Sequence, residues 1–188
     1  MTTAAMNLTN HFLIAMPSMD TGLFAHSITY ICEHNEQGAM GLVINRPMDL
    51  TLQELFDQLS VLPAPAHGEA PVYGGGPVQT ERGFILHNND GRRWDSTLVI
   101  NDDIALTTSK DVLDAIARDQ GPKDFLITLG YAGWGAGQLE QELVENAWLT
   151  LPADHDIIFK LPVEQRVQAA TRKLGINFSL ISPQAGHA

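Results

Sequence analysis

The chain is poor in cysteine, in basic side chains and in long apolar runs, and each shortage closes a class of function. Cys32 is the single cysteine among 188 residues, so no disulfide can form within the chain and a reducing cytoplasm is the expected compartment. Eleven lysines and arginines stand against twenty-two acidic residues, a formal net charge of −11. Non-specific nucleic-acid affinity comes mainly from clustered Lys and Arg that neutralise phosphates, and the nearest approach to a cluster is Arg92-Arg93. Direct DNA binding is therefore not expected, and solubility is the plain reading of the acidic balance. No apolar stretch reaches bilayer-spanning length. The opening "MTTAAMNLTNHFLIAMPSM" lacks the basic start of a secretory leader, so no membrane association is expected either. None of the seven histidines falls in an HxH, HExxH or Cys–His ligand spacing, and no metal or cofactor is expected.

The length suits one domain over 1–188, with 1–9 and 182–188 as loose ends. "HFLIAM" (11–16) reads as a buried strand. "SITYICEH" and "AMGLVINR" flank "NEQG", a hairpin signal. A helix is predicted over 51–62, where Thr51 and Glu54 match a capping box and Leu52, Leu55, Phe56 and Leu59 share a face. "GFILHN", "STLVIN" and "IALTT", separated by "NDG" and "NDD" turns, predict an antiparallel meander. A helix over 109–119 puts Val112, Leu113, Ile116 and Ala117 inward. "DFLITLG" (124–130) has the unbroken apolar character of a strand covered on both faces. A glycine-rich turn, a helix over 137–146, and short strands at "AWLTL" and "DIIFKL" follow. A last helix opens at Pro162 and closes at Gly175. Meander first and helix–strand alternation later give an α+β class with a mixed sheet.

Two glycine clusters test the idea of an anion site. "YGGGPVQTERGFILH" lacks the helix and the GK[ST] that a phosphate loop needs; Gly74–Gly76 and Pro77 lead into a strand, which is a turn or bulge where strands cross. "LITLGYAGWGAGQLEQEL" does run strand, glycines, helix. Gly133, Gly135 and Gly137 punctuate the loop, and Gln138 opens a helix whose free amides can receive a carboxylate or phosphate, although Glu140 and Glu142 already face that dipole. The plainer alternative is that the glycines permit a tight turn while Trp134 plugs the core. In "INRP", Pro47 exposes Asn45 and Arg46 at a strand end; Arg46 can clamp an anion, or the pair can make a salt bridge and a turn bond. Strand alternation places Cys32 and His34 on one face, at a Cα separation of roughly 6.5 Å that is awkward for a nucleophile–base pair.

Taken together, "FLIAMP", "EHNEQGAMGLVINRP", "VYGGGPV", "GFILH", "LGYAGWGAGQLEQEL" and "WL" resemble, in this order and spacing, the AlgH/YqgE family of bacterial proteins, whose role is unassigned. The resemblance extends from about Asn10 to Ile181. It implies a mainly antiparallel bifurcated sheet with a small closed barrel flanked by helices, in a cytoplasmic bacterial protein. Some members carry a transcriptional-regulator label, and no helix-turn-helix supports it here. The family supplies no established catalytic residues. Its motif positions with side chains worth testing are His34, Asn45, Arg46, His87, Trp134 and Gln138. Three functions follow as expectations. The first is a small-anion-binding or regulatory protein, with Asn45 and Arg46 converging on the 130–138 loop around an anionic metabolite. The second is a hydrolase or transferase using His34 or His87 as base. The third is a protein-interaction adaptor that affects transcription through a partner.

Overall fold

The computed structural model describes residues 6–19, 22 and 24–176. Among the described residues ten strands run in chain order: β1 His11–Ala15, β2 Ile28–Asn35, β3 Gly38–Val43, β4 Pro47–Thr51, β5 Pro71–Gly74, β6 Val78–Asn88, β7 Thr97–Val99, β8 Ile104–Thr107, β9 Phe125–Gly135 and β10 Trp148–Pro152. The helices are α1 Leu52–Gln58, α2 Lys110–Ala117, α3 Gln138–Val144, α4 His155–Phe159 and α5 Arg166–Lys173. A 3₁₀ turn, Val163–Gln165, leads into α5.

One path of pairing strings the strands in the order β10-β1-β2-β3-β9-β6-β8-β7, with β4 and β5 branching from it. The branch point is β9. Its C-terminal half pairs antiparallel with β3, Gly38 opposite Gly135 and Gly41 opposite Ala132. On its N-terminal half, β5 runs parallel at Tyr73–Gly74, and β6 runs antiparallel from Gly83 to His87. The fold is thus the expected α+β class, a mainly antiparallel, bifurcated sheet flanked by helices, and its curl is that of a half-barrel.

Covering helices explain the apolar character of β9. Ile127, with Val72 and Ile85, packs beneath α1 and α2 through Leu52, Phe56, Val112, Leu113 and Ile116. Leu126 points the other way, into the main core with Phe12, Tyr30, Leu42 and Leu86, closed by Ile157 and Ile158 of α4 and Ala170 of α5. A third cluster, with Leu13, Ile31, Trp134 and Trp148, seats Leu139 of α3. Burying a side chain such as Phe56, which is fully covered, stabilises by roughly 1.5–3 kcal/mol.

Local chemistry starts α1 where the sequence predicts. Thr51 Oγ1 accepts from the Glu54 amide at 3.1 Å, and Glu54 Oε1 accepts from the Thr51 amide at 3.1 Å, an arrangement worth about 1 kcal/mol. All four residues assigned to the inner face of α2 are buried.

Several expectations change. β9 continues through the glycines, so 130–135 is strand rather than turn. "DIIFKL" is not a strand: His155–Phe159 is helical, because Asp154 caps it by accepting from the Asp156 and Ile157 amides. The meander is permuted: β8 lies between β6 and β7. Leu8, in the stretch expected to be loose, is 7% exposed; residues 1–5 and 182–188 lie outside the described residues. No helix among the described residues is long and apolar enough to cross a membrane.

The triple glycine is architecture. A Cβ on Gly76 would lie 2.2 Å from the Tyr131 carbonyl carbon and 2.4 Å from the Ala132 nitrogen, and one on Gly75 would lie 2.4 Å from the Gly130 oxygen. Only a bare backbone lets this crossing press against β9.

Candidate functional site

The sequence-predicted residues separate into fold-holding groups and one open groove. His34 is 4% exposed. Its Nδ1 accepts from the Leu8 amide at 2.9 Å, which leaves the proton on Nε2 to be donated to Glu140 Oε1 at 3.0 Å. The ring pins the N-terminal segment to β2 and β2 to α3. Cys32 does not share its face. A β-bulge between Ile31 and Glu33 breaks the alternation. Cys32 joins the main core with Tyr30, whereas His34 turns toward α3. Burial pushes the Cys32 thiol pKa well up, so it stays protonated.

His87 is 1% exposed. Its Nδ1–H donates to the Asn88 carbonyl at 2.9 Å, and its Nε2 accepts from the Thr107 hydroxyl at 2.8 Å. Burial lowers its pKa from the ordinary 6.5, against the opposing pull of the Asn88 carbonyl, and the ring is neutral. Both proposed bases therefore have both nitrogens committed to the fold.

Asn45 makes the turn bonds of its plainer reading: Oδ1 accepts from the Ile28 amide at 3.0 Å, and Nδ2 donates to the His26 carbonyl at 3.0 Å. The Arg46 carbonyl accepts from the Gly74 amide at 2.8 Å. This sets Arg46 beside β5, against the half of β9 away from Gly133.

The loop-to-helix junction is a clamp on one carboxylate. Glu142 Oε1 accepts from the indole N–H of Trp134 at 3.0 Å and of Trp148 at 2.9 Å. Its Oε2 accepts from Gln138 Nε2 at 3.0 Å, and Gln138 Oε1 accepts from the Gly135 amide at 2.9 Å. Gly137, at φ 76°, caps α3 in the left-handed region that favours glycine. These motif residues hold α3 onto the sheet, and the helix is too short to offer an anion site at its start.

Gly133 and Trp134 do line a cavity, an open groove of about 620 Å³ across β2, β3, β6 and β9. Its floor is Met40, Phe84 and Tyr131, the two rings meeting edge to face at 5.5 Å. Its polar rim includes Glu33, Gln79 and Arg82. The Arg82 guanidinium lies 5.6 Å from the Phe84 ring centre, with only long contacts to Gln79 at 3.3 Å and Thr108 at 3.5 Å. Among the described residues no carboxylate pairs with it. Neither Asn45 nor Arg46 reaches this groove. The sequence reading missed Arg82, although it is the lone basic residue of "TERGFILH". The signal was the polar run "QTER" ahead of the apolar "FIL", which forms the exposed first half of β6, where its pairing with β9 is interrupted between Val78 and Gly83. No three His, Cys, Asp or Glu side chains among the described residues gather as metal ligands would.

A family model described as DUF179, AlgH-like, matches residues 12–179. The UPF0301 protein of Thioalkalivibrio sulfidiphilus is 58% identical over 99% of this chain and 100% of its own length. That of Azoarcus is 58% identical over 100% of both. The solution structure of the AlgH protein from Pseudomonas aeruginosa, 54% identical, superposes with a TM-score of 0.80 over 100% of each chain. A Corynebacterium diphtheriae protein, 22% identical, shares the fold with a TM-score of 0.74 over 96% of this chain and 94% of its own.

Proposed function

The chain belongs to the AlgH-like family, which brings no assigned activity, and from its groove we propose that it is a small-molecule-binding protein. The ligand lies across β3, β6 and β9, with a flat apolar part on Phe84 and Tyr131 and a carboxylate or phosphate at Arg82. The observation that carries this reading is the groove of about 620 Å³, which joins an aromatic floor to a guanidinium that pairs with no carboxylate among the described residues. This combination of apolar surface with a few placed polar groups is typical of small-ligand sites, and a planar guanidinium suits bidentate anion recognition. The histidine-base reading loses support, because His34 and His87 each spend both ring nitrogens on the fold.

Amide NMR of the full chain with nucleoside monophosphates and aryl carboxylates tests the proposal. Saturable shifts at Gly38, Met40, Gln79 and Gly133 are expected for at least one compound. Arg82→Ala is expected to weaken that binding about tenfold or more, the loss of a charge-assisted hydrogen bond. Failure of every compound to move these amides, or equal affinity in the variant, refutes it.

A further inference from the structure

A second cavity is bordered by a buried cation that no anion among the described residues pairs with. Arg166 opens α5 and is 6% exposed. Its Nη1 donates to the Ile44 carbonyl, its Nε to the Leu161 carbonyl at 3.4 Å, and its Nη2 to the Tyr73 hydroxyl at 3.4 Å. The guanidinium also lies 5.1 Å from the Tyr73 ring centre. All of these partners are neutral, and no ion pair among the described residues includes Arg166. A guanidinium carries five N–H groups; three are used here, so one on each terminal nitrogen remains. The Tyr73 hydroxyl accepts from Arg166, and its own proton has no acceptor among the described residues. A buried charge is ordinarily paired, and a positive group surrounded only by carbonyls and a phenol is a departure from that rule.

The space beside it is small. A cavity of about 160 Å³, smaller and more enclosed than the groove, is lined by Arg166, Tyr73 and His67 together with apolar residues of β9 and α4, including Phe125, Ile127 and Phe159. Apolar walls weaken screening and strengthen any charge interaction inside. Arg166 and the Tyr73 hydroxyl thus border a compartment sized for a few heavy atoms.

We infer that this cavity is a binding site for one small oxyanion, either inorganic phosphate or a short carboxylate, held by the two free N–H groups of Arg166 and the Tyr73 hydroxyl. The site is separate from the Arg82 groove and does not depend on it.

The experiment is a titration of the full chain with sodium phosphate and, separately, with sodium acetate at matched ionic strength, read by amide NMR and by thermal unfolding. Saturable shifts at Ile44, Tyr73 and Leu161, with a midpoint that rises with the logarithm of anion concentration, support the site; the anion that saturates identifies which of the two it takes. Tyr73→Phe keeps the ring and removes one donor, so its affinity is expected to fall roughly tenfold. Arg166→Met keeps the volume and is expected to abolish the shifts. Should that variant fail to fold, Tyr73→Phe still decides. Absence of saturable shifts with both anions overturns the inference. So does binding by Tyr73→Phe as tight as wild type, or shifts confined to Gly133 and Gln79, which would instead report the groove.

Discussion

Removing the carboxylate of Glu142 tests whether α3 is held by the clamp described above. Trp134 and Trp148 are 6% and 5% exposed, and both indole N–H groups end on Glu142 Oε1. Glu142→Ala leaves both donors without an acceptor and frees Gln138. An orphaned buried donor costs about 1–3 kcal/mol. Glu142 is itself half-buried, so water reaches one side and moderates the total to about 3 kcal/mol. In a chain of this length that corresponds to a fall in Tm of roughly 6–12 °C. Glu142→Gln keeps an oxygen for the indoles but sets an amide N–H against that of Gln138, and is expected to cost about 1 kcal/mol. Urea denaturation followed by tryptophan emission measures both, since two of the three tryptophans sit at the clamp, ring centres 6.2 Å apart. A loss below about 1 kcal/mol for Glu142→Ala, or equal losses in the two variants, would refute the reasoning.

Two other variants test the fold and its pH response. Gly76→Ala drives a Cβ to 2.2 Å from β9 whereas Gly74→Ala finds its nearest atom at 3.7 Å; the first is expected to lose more than about 4 kcal/mol and the second less than about 1 kcal/mol. Comparable denaturation midpoints for the two would show that the crossing has slack. His87 is held neutral by burial, with its pKa below 6.5, so the unfolded chain takes up a proton that the folded chain does not. Its contribution is therefore full above the unfolded pKa and is lost as pH falls below it. The urea midpoint should decline between about pH 7 and pH 5, and the decline should flatten in His87→Gln; an unchanged slope would assign it to other groups. Asp124 and Asp154 contribute in a separate, lower window. For each, burial pulls the pKa up but bonds to Lys160 and His155, or to Lys173 and backbone amides, hold it below 3.8, so their contribution is lost as pH falls through the acid range.

Where a few neighbouring residues decide the outcome, the sequence was a sound guide. The Thr51–Glu54 box, the inner face of α2 and the β2–β3 hairpin are local patterns, and they form as read. Most departures have their cause in partners far along the chain, and one has it in a local cap. Gly130, Gly133 and Gly135 resemble a loop because glycine disfavours strands, yet the stretch pairs with β3, and a Cβ on Gly130 would lie 2.5 Å from the distant Gly76 oxygen. Ile-Ile-Phe favours a strand, but Asp154 caps the first turn, a signal that was readable. The anionic clamp of α3 needed Trp134, Gln138 and Trp148 at once, and the motif positions pointed to them without revealing their shared acceptor. Arg166 lies inside the last predicted helix, where nothing in the local pattern singles it out. Its bonds to Ile44 and Tyr73 reach back 122 and 93 positions, beyond any periodicity argument.

The central place of β9 also bears on the order of assembly. Phe125 opens it in a chain of 188, so during synthesis β3, β5 and β6 emerge well before the strand that joins them. Their unpaired edges and apolar faces must wait while about two-thirds of the protein is made, and β1 waits longer still for β10. A nascent chain of this design is exposed to mispairing late into its translation, and shelter by a ribosome-associated chaperone is most valuable to it just before residue 135 clears the exit tunnel.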